Sequence, residues 1–235
     1  MLGLPDGVRA CLFDLDGVLT KTAVVHAHAW KEMFDAYLRE RDGDEFVPFD
    51  PVEDYDKYVD GKPRYEGVES FLRSRQIELN TDEIHALGNR KNEIVLKLIH
   101  DQGVEPYEGS VRYVEAARDA GLRRAVVSSS TNCRDVLVAA GIADLFEERI
   151  DGEVAEREHL RGKPAPDTFL AGARALGVGA GEAAVFEDAL AGVEAGRAGD
   201  FSCVIGVDRV GQSAALREHG ADVVVKDLGE LLDER

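Results

Sequence analysis

Asp14 and Asp16 stand on either side of Leu15, directly after the apolar run Val8 to Phe13 and just before Gly17. Three more polar groups sit in comparable places. Ser128 follows the run from Arg124, Glu187 and Asp188 follow Ala183 to Phe186, and Lys163 precedes Pro164 in a loop ahead of a helical pattern. A short apolar run closed by a polar or Gly turn reads as a buried strand. Strands of a parallel sheet end on one edge, so side chains at those ends converge in one crevice. The crevice would hold several carboxylates, one lysine and one hydroxyl. Carboxylates at such close quarters do not all ionise without a cation. Oxygen donors of this kind suit Mg²⁺, which takes one or two carboxylates, waters and a phosphate oxygen. One carboxylate can then attack phosphorus and become an aspartyl-phosphate. The other, two residues on, can give or take a proton. Ser128 and Lys163 would hold the transferring phosphoryl oxygens and neutralise their charge.

The elements that must position these groups show in the hydrophobic periodicity. A first strand, Val8–Phe13, is followed by helical spacing from Ala23 to about Arg39, with Trp30, Phe34, Tyr37 and Leu38 on one face. The stretch from Asp42 to Asp60 is acidic and aromatic, holds Pro48 and Pro51, and reads as a loop. Two further helices are predicted, Tyr65–Arg75 and Thr81–His100, the second started by Thr81, Asp82 and Glu83. From Gly109 onward helices alternate with strands: helices at 110–120, 133–140, 165–176 and 190–198, strands at 124–128, 146–150, 183–186, 201–207 and 222–225. Such alternation implies βαβ units, right-handed crossovers and a parallel sheet covered on both faces. The expected fold is therefore α/β: a three-layer α/β/α, Rossmann-like core with a parallel sheet, residues 1–20 and 105–235. A small α-helical cap domain, residues 21–104, is inserted after the first strand, beside the edge where such sheets bind ligands.

Each chemical residue has an ordinary alternative. Asp14 and Asp16 are also turn acids; Glu187 and Asp188 also suit a helix N-terminus. Arg64 and Lys91 are, by default, charges on a solvated face. His26 and His28 invite a metal reading, but residues i and i+2 of a helix do not face each other. Trp30 at helical spacing suits a helical core as well as a ligand contact. The stretch GVGAGE lacks the spacing of a dinucleotide loop.

Composition narrows the partners. Of 235 residues, 28 are Lys or Arg and 46 are Asp or Glu, a net charge of −18. A face-wide binder of nucleic acid or anionic membrane should be basic, so neither partner is expected. The hydrophobic share of 44% is enough for a sizeable core and excludes a mainly disordered chain. Cys11, Cys133 and Cys203 make neither a disulfide framework nor a zinc site, which fits a reducing cytoplasm. No basic start precedes a long apolar run, so no signal peptide is expected. No stretch reaches the roughly 18 apolar residues of a membrane span.

Together the motifs resemble those of the haloacid dehalogenase superfamily. The run Asp14-Leu15-Asp16-Gly17-Val18-Leu19-Thr20 is similar to its first motif, Ser128 to the second, Lys163 to the third and Glu187-Asp188 to the fourth, in the family's order. The resemblance implies Asp14 as nucleophile and Asp16 as general acid/base. It implies Mg²⁺ on Asp14, the Asp16 backbone carbonyl and Asp188, with Glu187 close or coordinating. The dehalogenases of the superfamily lack the second Asp and the metal, so Asp16 argues for phosphoryl transfer. The insertion is similar to the helical cap of the β-phosphoglucomutase-like branch. His26 and Trp30 in HAHAWK, Gly61 and Arg64 in DGKPRYEGV, and Lys91 in Arg90-Lys91-Asn92 match that branch. The match implies substrate contacts from these residues and from Ser129, Ser130 and Asn132, with Arg64 on the phosphate that is not transferred and Lys91 near Asp16.

Three departures bear on the substrate. Thr131 stands where the mutase pattern has a lysine, Lys21 where an acid is common, and the loop from Asp151 to Arg161 is longer. The resemblance implies a monomer acting on a small phosphorylated sugar. The leading expectation is conversion of β-glucose 1-phosphate to glucose 6-phosphate. A sugar- or polyol-phosphate phosphatase is the alternative, favoured by Thr131. A non-catalytic binding module on the same fold is a third reading, against which the complete motif set counts.

Overall fold

The computed structural model describes residues 2–233. They divide into two compact units: one uses the chain up to Lys21 and from Val104 onward, the other is Thr22–Gly103.

The first unit is a six-stranded, all-parallel sheet in the order β3-β2-β1-β4-β5-β6. The strands are β1 (Ala10–Phe13), β2 (Arg123–Val127), β3 (Glu148–Ile150), β4 (Ala183–Glu187), β5 (Cys203–Val207) and β6 (Val223–Val225). All four residues of β1 are buried, as they must be in a central strand covered on both faces. Successive side chains of a strand point to opposite faces. Leu12 accordingly packs with Phe169, Ala171 and Ala173 of one helix (Asp167–Ala175), while Phe13 packs with Tyr113 of another (Glu108–Asp119). Phe13 also stacks on Phe186, with centroids 4.4 Å apart. This is the expected three-layer arrangement.

The second unit is helical: α1 (Ala23–Asp42), α2 (Arg64–Ser74) and α3 (Thr81–Gln102). Helix α3 starts with a capping box, in which the Asn80 side chain accepts from Glu83 N–H at 3.0 Å and the Glu83 carboxylate accepts from Asn80 N–H at 2.9 Å. Its core gathers Trp30, Met33, Phe34, Phe49, Val68 and Phe71.

Two stretches read as loop hold helix. Between Asp42 and Asp60 lie a 3₁₀ turn (Gly43–Glu45) and a π-helical turn (Tyr55–Val59). The Asp50 carboxylate accepts from Val52 and Glu53 N–H and starts the turn, and burial of Tyr55 and Val59, four apart, holds it. Between Asp151 and Arg161 lies a helix (Gly152–Arg157), because Asp151 caps it by accepting from Val154 N–H at 3.0 Å. Two short helices, Ser213–Glu218 and Glu230–Asp233, lie where no helix was expected. Among the described residues no helix is long and apolar enough to cross a membrane.

Candidate active site

The sheet register assembles the site. Phe13 is level with Val126 of β2 and Phe186 of β4, so Asp14 follows at the height of Val127 and Glu187. Asp14 N–H donates to the Phe186 carbonyl at 2.9 Å, which carries the β1–β4 pairing one residue past the strand. Lys163, whose peptide bond to Pro164 is cis, enters from its loop. Its ammonium donates to Asp14 Oδ1, to Glu187 Oε1 at 2.5 Å and to the Val127 carbonyl at 3.4 Å. Lys163, Glu187 and Ser128 are buried, and Asp14 is only 7% exposed. Asp16 and Asp188 are half-buried.

Ser128 closes β2. Its N–H donates to the Ile150 carbonyl at 2.9 Å, and its Oγ accepts from Ser130 N–H at 3.1 Å. Ser130 Oγ in turn accepts from Asn132 N–H at 3.1 Å. The hydroxyls thus shape the turn that carries Ser128, Ser129, Ser130 and Asn132, and Gly152 N–H fixes it by donating to the Ser130 carbonyl at 3.2 Å.

Two glycines make room for the acids, and sequence reasoning assigned neither of them this part. A Cβ on Gly17, which sits at φ +82°, would fall 1.7 Å from Asp188 Oδ2. A Cβ on Gly192, in the helix Leu190–Ala198, would fall 1.7 Å from Glu187 Oε1. The Asp188 carboxylate therefore lies flat on the turn after Asp16, and the Glu187 carboxylate lies under the next helix. The signal available beforehand was the placement of each glycine one or a few residues after an acid pair.

Glu187 is held by two partners. One of its oxygens accepts from Lys163 and the other from Ala189 N–H at 2.8 Å, inside a fully buried pocket. Both oxygens are thus engaged, and the Lys163 ammonium is held between Glu187 and Asp14. Burial, the largest cause, pushes the Asp14 carboxyl well above the usual range; Lys163 opposes this, and Glu187 and Asp16 add to it. For Lys163, burial works against the charge but Asp14 and Glu187 outweigh it and push its pKa up. The cluster holds more carboxylates than ammonium groups, a setting that takes up a proton or a metal ion.

Among the described residues no three His, Cys, Asp or Glu side chains form a ready metal cage. The turns that follow β1 and β4 bring the carboxylates of Asp14 and Asp188 and the Asp16 carbonyl. Two carboxylates and a carbonyl, completed by water and phosphate oxygen, fit the habits of Mg²⁺.

The helical unit gathers a second set. Lys91 is 5% exposed; its Nζ lies 2.7 Å from His26 Nδ1 and 4.7 Å from the Trp30 ring centroid. Trp30 is 3% exposed and stacked on Phe34 in the helical core. Gly61 turns the chain at φ +69° ahead of Arg64, whose guanidinium lies 5.0 Å from the Tyr65 ring centroid. His28 is exposed and faces Glu32 at 3.5 Å, away from any pairing with His26. Lys21 donates to Glu105 at 2.7 Å, with both side chains exposed.

The family model of haloacid dehalogenase-like hydrolases matches residues 8–200. The β-phosphoglucomutases of Mycobacterium tuberculosis and Mycobacterium bovis are each 56% identical to this chain over 99% of its length and 94% of theirs. Among solved structures, the β-phosphoglucomutase of Clostridium difficile superposes with a TM-score of 0.78 at 25% identity, covering 95% of this chain and 93% of that one. A hydrolase from Pseudomonas syringae superposes with a TM-score of 0.80 at 22% identity, covering 96% and 97%, and shows the same fold. The chain belongs to the haloacid dehalogenase-like hydrolase family and is an enzyme of its phosphotransferase and phosphatase type.

Proposed function

We propose that the protein transfers a phosphoryl group through an aspartyl-phosphate on Asp14 and interconverts β-glucose 1-phosphate and glucose 6-phosphate. The observation that carries the phosphoryl chemistry is the buried ion pair between Lys163 and Asp14. The choice of sugar phosphate is supported by the 56% identity to the mycobacterial β-phosphoglucomutases. A monomer in the cytoplasm, acting on a small phosphorylated sugar, completes the reading.

In this reading an oxygen of Asp14 forms a bond to phosphorus as the bond from phosphorus to the sugar oxygen breaks. Asp16 gives its proton to that departing oxygen. Lys163 orients Asp14 and, with Ser128, neutralises the charge on the transferring group. Ser129, Ser130 and Asn132 hold the sugar phosphate beside the strand ends. In the other step a sugar phosphate is the acceptor: Asp16 takes the proton of its hydroxyl, the hydroxyl oxygen bonds phosphorus as the bond from phosphorus to Asp14 breaks, and the bisphosphate so formed reorients before its other phosphoryl group passes to Asp14. Asp14, the Asp16 carbonyl and Asp188 would hold Mg²⁺, which when bound supplies Lewis-acid stabilisation of the phosphoryl oxygens. His26, Gly61, Arg64 and Lys91 of the helical unit contribute binding of the remaining phosphate and sugar.

Thr131 favours a second reading, in which water accepts the phosphoryl group. The residue brings no cation to the turn that carries Ser130 and Asn132. Phosphorus NMR with Mg²⁺, β-glucose 1-phosphate and a trace of glucose 1,6-bisphosphate separates the two. Growth of glucose 6-phosphate with little free phosphate is the expected result. Growth of free phosphate instead makes the protein a phosphatase, and turnover that survives Asp14→Asn would sink the aspartyl-phosphate altogether.

A further inference from the structure

The segment between β5 and the helix Ser213–Glu218 meets both acid-bearing turns. Arg209 Nε donates to the Gly17 carbonyl at 2.8 Å, and Nη2 reaches the Val18 carbonyl at 3.4 Å. Its Nη1 donates to the Lys226 carbonyl at 2.7 Å and to Asp227 Oδ2 at 3.2 Å. The guanidinium carbon lies 3.5 Å from the Tyr107 ring centroid. Three residues on, Gln212 Nε2 donates to the Asp188 carbonyl at 3.1 Å. Asp208 shapes the segment: its carboxylate accepts from the N–H groups of Gly211, Gln212 and Ser213 and from the Ser213 hydroxyl. Asp208 N–H anchors it to β6 by donating to the Val225 carbonyl at 2.8 Å.

We propose that Arg209 and Gln212 are positioning residues for the metal-dependent phosphoryl transfer: together they fix the Gly17 turn against Asp188 and so set the spacing of the oxygen donors Asp16 and Asp188. The inference rests on the phosphoryl-transfer reading above. Its logic is steric and directional. A glycine at positive φ is the least constrained point of the Asp14–Thr20 turn. Its open face is filled by the Asp188 carboxylate, so a drift of either turn moves the other. One segment tethers both, at the carbonyl of Gly17 and at the carbonyl of Asp188. Arg suits the first tether because its planar fork makes several bonds at once and stacks on an aromatic ring, which Lys cannot copy.

Arg209→Lys keeps the charge, so a change in that variant reports geometry and not the long-range field. Gln212→Ala removes the second tether at a half-buried position. For the full-length parent and both variants, Mn²⁺ binding is measured from the electron paramagnetic resonance of the free ion. Steady-state kcat and KM are measured on an aryl phosphate at saturating Mg²⁺, and unfolding is followed by circular dichroism. The expected result is about tenfold or greater weakening of Mn²⁺ binding in each variant, with lowered kcat and unchanged KM. If unfolding shifts while Mn²⁺ binding and kcat match the parent, Arg209 and Gln212 are structural ties and the proposal is overturned. If Arg209→Lys does not fold, Gln212→Ala decides alone. A parent that neither binds Mn²⁺ nor releases phosphate overturns the phosphoryl-transfer reading and the proposal with it; a parent that does both, matched by its variants, overturns the proposal only.

Discussion

Lys163 Nζ lies 2.5 Å from Glu187 Oε1, and both side chains are essentially removed from water. Because Lys163 also bonds Asp14, the acid at the end of β4 sets the direction from which the lysine meets that carboxylate. Glu187→Gln keeps the shape and removes the charge. Lys163 retains Asp14 as a partner, so the loss should be that of a charged hydrogen bond, about 2 kcal/mol, and less than for a wholly orphaned buried ion. Urea unfolding of the variant should show that loss together with a fall in kcat. An unchanged midpoint would contradict the assigned role of Glu187.

Gly192→Ala tests the cradle from the other side. In a helix, Ala is ordinarily favoured over Gly by about 1 kcal/mol. Here the added Cβ would meet Glu187 Oε1 and Cδ at 1.7 and 1.9 Å, so the carboxylate must leave its place under Lys163. Overpacking costs about 1–3 kcal/mol, and the clash should outweigh the propensity. Gly181→Ala is the control, since nothing lies within 4 Å of its Cβ position. Thermal unfolding should fall for Gly192→Ala and stay level for Gly181→Ala; equal midpoints would show that the helix can shift to absorb the methyl.

The acid limb of stability should carry a contribution from Asp208. Burial raises its pKa, but hydrogen bonds from the Ser213 hydroxyl and from three backbone N–H groups outweigh it and hold the carboxyl below its ordinary 3.8. A carboxyl depressed in the folded state adds stability that is fully present above the unfolded value and is lost as pH falls through the folded one. Stability measured from about pH 5 to pH 3 should therefore fall less steeply in Asp208→Asn than in the parent. Parallel curves would remove Asp208 from the acid response.

What was legible in the sequence follows from where chemistry sits in a parallel sheet. Asp14, Ser128 and the Glu187-Asp188 pair each end an apolar run, and runs that end together place their last residues on one edge. Spacing could not tell which of two adjacent acids faces inward. In the structure β4 buries Glu187 under Gly192 and leaves Asp188 over Gly17, and only the pleat and the neighbouring helix decide that. Trp30 was ambiguous because a helical stripe looks the same whether it faces a core or a ligand. The tether from Arg209 to Gly17 spans 192 residues and ends on a backbone carbonyl, which no side-chain pattern encodes. The helix at Gly152–Arg157 was hidden because six residues are too few to establish a period.

The thiols should be silent in the native protein. Cys11, Cys133 and Cys203 are all free and buried. Burial pushes Cys11 up to about 12 and Cys203 up to about 11, and raises Cys133 as well. The thiolate is the reactive form, so a neutral-pH disulfide reagent should titrate none of them until denaturant is added, and then all 3. A fast-reacting thiol in the native state would place one of these side chains at the surface.

Thr131 offers the sharpest handle on the acceptor. It sits between Ser130 and Asn132, on the turn that Gly152 pins from the helix Gly152–Arg157, and brings a methyl and a hydroxyl where the mutase pattern has an ammonium. Thr131→Lys adds a cation beside a site proposed to hold a sugar bisphosphate. A half-exposed charge of this kind contributes up to about 1 kcal/mol, a change of roughly fivefold in apparent affinity. The concentration of glucose 1,6-bisphosphate giving half-maximal activity should drop by about that factor at low salt, and the gain should shrink as salt screens it. Phosphorus NMR of the same variant should show a larger share of phosphoryl groups passed to sugar and a smaller share to water. If the partition and the half-maximal concentration both stay as in the parent, the residue at this position does not select the acceptor.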